Sequence, residues 1–72
     1  MKQTKDGTLY MGIDDVLSVI RDLSHSQGFY GRLLRDLMEI KASDKKAWRN
    51  VIKYFEGAKL KTPLDVVLFI EQ

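Results

Sequence analysis

The chain is predicted to be all-α, a small compact bundle of about four short helices in a single domain. Three observations carry this. Apolar residues recur at helical spacing in three separate stretches, a threonine–proline–acid start signal opens a fourth, and the 72 residues are 44% hydrophobic and 31% charged. A disordered chain would have fewer apolar residues and a larger net charge than the +2 found. A chain this short has room for one domain. Such domains bury only about 60% of their unfolded surface, so a partner or self-association adds needed burial.

Residues 1–11 are read as an irregular N-terminal arm and residues 12–72 as the helical domain. Asp6-Gly7 is a turn signal and Leu9-Tyr10-Met11 a short apolar run, but an isolated hairpin of this size has too few apolar residues to hold two strands together. The first helix is expected over residues 12–24. Ile13, Val16, Leu17, Ile20 and Leu23 follow the i, i+3, i+4, i+7 pattern, and Asp14 and Asp15 fall in the first turn, where the helix dipole favours negative charge. Ser24-His25-Ser26-Gln27-Gly28 then breaks the periodicity with small polar residues that compete for backbone bonds.

The central helix, residues 27–41, takes Ser26 as its N-cap and repeats Leu33, Leu34, Leu37 and Ile40 along one face. Ser43 and Asp44 supply a fresh cap for a third helix over 44–57, with Val51, Ile52 and Phe55 inward and Gly57 as a left-handed stop. The last helix, 63–71, starts at Thr62-Pro63-Leu64-Asp65: threonine accepts from a free N–H, proline lacks a donor that would be orphaned anyway, and Asp65 can reach back to the cap. Val66 to Ile70 is apolar on every side and is expected to plug the core. The expected core is Leu17, Ile20, Leu33, Leu37, Val51, Phe55, Val67 and Phe69.

Charge is unevenly placed. Residues 1–40 carry five Lys/Arg against six Asp/Glu, residues 41–61 seven against two, and residues 62–72 none against two. The absence of cysteine removes disulfides and thiolate metal sites, the N-terminus has no apolar leader segment, and no apolar run approaches the roughly 20 residues of a membrane span. A cytoplasmic protein with no membrane contact is expected.

No constellation points to catalysis. His25 and Asp22 could form a base and its orienter, but a histidine at a helix C-terminus is favoured by the dipole alone, no cysteine exists to serve as nucleophile, and Ser24 and Ser26 beside it do not make a triad, whose members usually come from separate segments. Asp14 and Asp15 are adjacent on a helix and point about 100° apart, unlike paired catalytic carboxylates. No metal-ligand spacing occurs, and no cofactor is expected. Gly28-Phe29-Tyr30-Gly31 has the spacing of a backbone-clamping RNA-binding loop, yet that loop belongs to a mixed sheet-and-helix domain; glycines that let a neighbouring helix approach closely are the simpler account.

Two binding readings remain. Phe29, Tyr30, Arg32, Arg35 and Trp48 are candidates for a protein-binding surface, because large apolar residues exceed the interior available to hide them. Lys45, Lys46, Arg49 and Lys53 form a basic stripe beside Asn50, a candidate base-edge reader, and could bind nucleic acid. A solvated helix face has the same pattern. The segments Ser26–Leu37 and Asp65–Glu71 resemble small uncharacterised proteins encoded by phages and prophages of Gram-positive bacteria. That resemblance implies a short helical protein of mobile-element origin and brings no activity or site residue with it. The expected function is therefore non-enzymatic, a binding module acting through protein–protein contacts or self-association, with nucleic-acid binding as the alternative.

Overall fold

The computed structural model describes all 72 residues as β1 (Lys2–Gln3), β2 (Leu9–Tyr10), α1 (Ile13–Ser24), α2 (Gly28–Ser43), α3 (Lys45–Gly57) and α4 (Pro63–Glu71). The four helices fall where the periodicity puts them, because their signals are local.

The arm is the first difference. β1 and β2 pair antiparallel, Lys2 opposite Tyr10 and Gln3 opposite Leu9. The turn between them is closed by the Gly7 N–H to the Thr4 carbonyl at 3.1 Å, and by the Asp6 carboxylate, which accepts from the Thr8 N–H and the Thr4 hydroxyl. Those bonds hold the Asp6 carboxyl down at about 2. Gly7 has φ +91°, which only a residue without Cβ adopts freely. The hairpin forms because it is not isolated. The Lys2 Nζ donates to Glu56 at 2.9 Å, the Met11 N–H donates to the Leu60 carbonyl at 2.7 Å, and Lys59 lies 4.0 Å over the Tyr10 ring.

At the start of α1 the Asp15 carboxylate accepts from the Gly12 N–H at 3.1 Å, while Glu56 satisfies the next donor, the Ile13 N–H, at 2.9 Å. The α1–α2 break occurs as expected, but Ser26 does not cap α2. Its hydroxyl and its N–H both turn back to the Leu23 carbonyl and close α1, and Gln27 is the residue before α2 with no side-chain cap bond. The two glycines are not a tight helix contact either: a Cβ on Gly28 would meet nothing, and one on Gly31 would sit 3.9 Å from the Ser24 Cβ, an ordinary contact.

α3 is capped as its sequence implies, the Asp44 carboxylate accepting from the Ala47 N–H at 3.0 Å. Its end differs. Gly57 is helical, and the left-handed residue is Lys59 with φ 53°. α4 opens with the full reciprocal cap: Thr62 Oγ1 accepts from the Asp65 N–H at 3.2 Å, and the Asp65 carboxylate accepts from the Thr62 and Lys61 N–H groups at 3.0 Å each.

The buried side chains come from every part of the chain: Met11, Val16, Leu17, Ile20, Tyr30, Leu37, Phe55, Leu60 and Val66. Leu33, Val51 and Phe69 pack against this core only partly buried, and Val66, not Val67, is the α4 residue with no exposure. α4 does not plug the core from all sides, since Leu64 and Leu68 are 63% and 59% exposed.

Candidate functional site

α2 and α3 reverse direction at Asp44 and lie side by side in antiparallel register. Lys41 sits over the Trp48 ring at 5.9 Å, and Leu33 and Leu37 line one cavity together with Val51 and Phe55. Between the two helices the surface opens into an apolar groove. One cavity of about 460 Å³ is walled by Leu33, Leu37, Asn50, Val51, Tyr54 and Phe55. A second of the same volume adds Phe29 from α2 and Phe69 and Ile70 from α4, sharing Leu33, Tyr54 and Phe55 with the first. Through these shared residues the two cavities adjoin, and their walls come from three helices. No charged side chain lines it.

An aromatic cluster forms the floor and one wall. Tyr54, Phe55 and Phe69 are in mutual contact with ring centroids 4.9 to 5.7 Å apart. Phe55 is buried, whereas Tyr54 is 63% exposed and Phe29, at the far end, 59% exposed.

The structure divides the residues singled out from sequence. Phe29 lines the groove, but its neighbour Tyr30 is buried, 1% exposed, and is a core residue that offers nothing to a partner. Its hydroxyl is enclosed with no hydrogen-bond partner, and burial, with the Glu71 charge, pushes the phenol above its ordinary range. Arg32 and Arg35 are exposed on α2. Six positions separate Phe29 from Arg35, which puts the arginine about 120° around the helix from the groove. Trp48 is half-buried under Lys41 and lines no cavity with Phe29. The five residues therefore do not form one patch.

Tyr54, more exposed than Phe29, was missed by periodicity, which assigns α3 only its inward face. The usable signal was the row Phe29, Leu33, Leu37 at four-residue spacing facing Asn50, Val51 and Tyr54 across an antiparallel helix pair. Lys45, Lys46, Arg49, Asn50 and Lys53 are all exposed on α3. None of the four cations is ion-paired; the molecule's two ion pairs, Lys2 with Glu56 and the Met1 amino group with Asp15, lie at the hairpin end. Asn50 belongs to the groove wall as well as to the stripe.

His25 is exposed at the end of α1, and Asp22 meets it only through its carbonyl, which accepts from the His25 N–H. No group of three or more metal-ligating side chains comes together. No helix is long and apolar enough to cross a membrane. No protein-family model, curated protein or solved structure matches the chain.

Proposed function

We propose that this protein is a non-enzymatic binding module that acts by seating a protein partner in the groove of α2, α3 and α4. The observation that carries the reading is the uncharged, aromatic depression itself, with Phe29 and Tyr54 more than half exposed at its rim. Burying such side chains against a partner supplies the favourable free energy, and tyrosine and phenylalanine lose few rotamers in doing so. Affinity capture from the native host tests it: the parent should retain a protein that Phe29→Ala and Tyr54→Ala each lose. Equal retention by all three chains refutes the groove as the binding surface. The resemblance of Ser26–Leu37 and Asp65–Glu71 to phage and prophage proteins fits a module of mobile-element origin.

A second reading rests on the free cations of α3. Lys45, Lys46, Arg49 and Lys53 are exposed and unpaired. If they bind duplex DNA through four phosphates, affinity falls with salt at a log–log slope of roughly −3.6, about 0.9 per phosphate. Apolar docking in the groove is nearly indifferent to moderate salt. No binding to duplex DNA, single-stranded DNA or RNA at low salt removes this reading.

A further inference from the structure

A polar cavity of about 450 Å³ opens where the hairpin meets the loop between α3 and α4, and it shares no residue with the groove. Its walls are Thr4, Lys5, Asp6, Thr8 and Tyr10 of the hairpin, with Lys59 and Lys61 of the loop. Three cations thus surround one space, and none is ion-paired: the two ion pairs of the molecule use Lys2 and the Met1 amino group. Asp6 is the one acid in the wall. Its carboxylate is engaged within its own turn, accepting from the Thr8 N–H and the Thr4 hydroxyl. Asp65 and Glu56 feel the charges of Lys61 and Lys59 but do not line the cavity, and each is held elsewhere, Asp65 by the Lys61 and Thr62 N–H groups and Glu56 by Lys2 and the Ile13 N–H. Lys59 is fixed in place under strain. It is the only residue other than glycine with a positive φ, 53°, and its ammonium lies 4.0 Å from the Tyr10 ring centroid. Strained backbone of this kind persists only where the surrounding structure over-determines it, and it gathers at ligand sites.

We propose that this cavity binds a phosphate dianion, free or as the terminal group of a small molecule, with Lys5, Lys59 and Lys61 as its charged contacts. The site is independent of the groove and of its partner. Three positive charges against one negative leave an excess that matches the roughly −1.5 to −2 of a phosphomonoester near neutral pH. Holding three like charges around one space is unfavourable, and a bound dianion relieves that repulsion while accepting from each ammonium. The cations converge on a point instead of following a line. Asp6 would also repel a phosphate next to the bound one, so a terminal phosphate fits here and the backbone of a nucleic acid does not. The cavity lies within the range of small-ligand sites, about 300–1,000 Å³, and leaves room beside the phosphate for an organic body, to which Tyr10 offers the one apolar wall.

A nuclear magnetic resonance titration of the isotope-labelled chain decides it, with inorganic phosphate and adenosine monophosphate as probes, and adenosine and sodium chloride at matched ionic strength as controls. The backbone amides of Lys5, Thr8, Tyr10, Lys59 and Lys61 should shift and saturate with both phosphates and with neither control. Tighter binding of adenosine monophosphate assigns an organic phosphate as the occupant, and equal binding assigns free phosphate; both uphold the site. Lys5→Gln and Lys61→Gln should each weaken binding roughly tenfold. Lys61→Arg should keep it, and Lys46→Gln on α3 should leave it unchanged. Lys5 and Lys61 are exposed, so these variants keep the fold, which the dispersion of the same spectra checks. Absence of saturable shifts from both probes at millimolar concentration overturns the proposal. So do shifts that persist when Lys5 and Lys61 are replaced together, and so do shifts confined to residues 45–53, which would place the phosphate on the basic stripe of α3.

Discussion

Tyr30 shows how one helical step separates a core residue from a surface one. Phe29 and Tyr30 are edge-to-face neighbours 5.3 Å apart, yet the first is open and the second enclosed. The buried hydroxyl with no partner carries a desolvation penalty that a phenyl ring of the same shape lacks. Tyr30→Phe should therefore raise the melting temperature, by a gain of about 1 kcal/mol; a lower one contradicts the enclosed hydroxyl. Gly31 is a second cost carried in the fold, since a Cβ there makes only an ordinary contact with Ser24. Gly31→Ala should stabilise by about 0.5–1 kcal/mol in thermal unfolding. Neither outcome was legible in the sequence. Aromatic identity and the glycine spacing are visible there, but which face α1 and α4 cover is not, so two adjacent aromatics at a helix start look alike.

Glu56 joins three elements: α3, which carries it, the hairpin through Lys2, and the first turn of α1 through the Ile13 N–H. Burial pushes its carboxyl up, but the Lys2 hydrogen bond, the Ile13 N–H and the Lys2 and Lys59 charges outweigh burial and hold it below its ordinary value of 4.5. A carboxyl depressed on folding contributes stability that is present above its unfolded value and lost as pH falls through its folded one. Asp65, lowered chiefly by the Lys61 and Thr62 N–H groups, and Asp15, lowered chiefly by the Gly12 N–H, act in the same direction. The melting temperature should fall as pH drops below 4.5, and Glu56→Gln should flatten part of that fall while costing stability at neutral pH. Identical acid profiles for parent and variant contradict the link. On the basic side, the Lys2 ammonium is raised by Glu56, so its contribution is lost only above 10.5. The helices were legible because Asp44, Thr62 and Asp65 sit within a turn of the donors they satisfy. The hairpin was not, because Lys2 and Glu56 are 54 residues apart and a local reading sees only an arm too poor in apolar residues to pair. Lys59, not Gly57, takes the left-handed position after α3, and its ammonium lies over the Tyr10 ring.

The bundle as a whole places its best-buried side chains, Val16, Ile20, Tyr30 and Val66, on α1, α2 and α4, and leaves the α2–α3–α4 side open. Leu37 belongs to both, buried in the core and lining the groove floor. Leu37→Ala should cost about 2–5 kcal/mol, a large share of what so small a domain possesses, and unchanged thermal unfolding would contradict the core described. The all-α bundle was readable from periodicity, but the groove arises from the antiparallel register of α2 and α3, with Leu33, Val51 and Phe69 serving it from positions that look inward on a helical wheel. The most direct measurement of the central claim is photocrosslinking in the native host with a photoreactive phenylalanine analogue in place of Tyr54. Crosslinking to a protein, either a second copy or another chain, from position 54 and not from position 64 is the result predicted. Crosslinks from position 64 alone, or from neither, contradict the groove as the surface through which this protein acts.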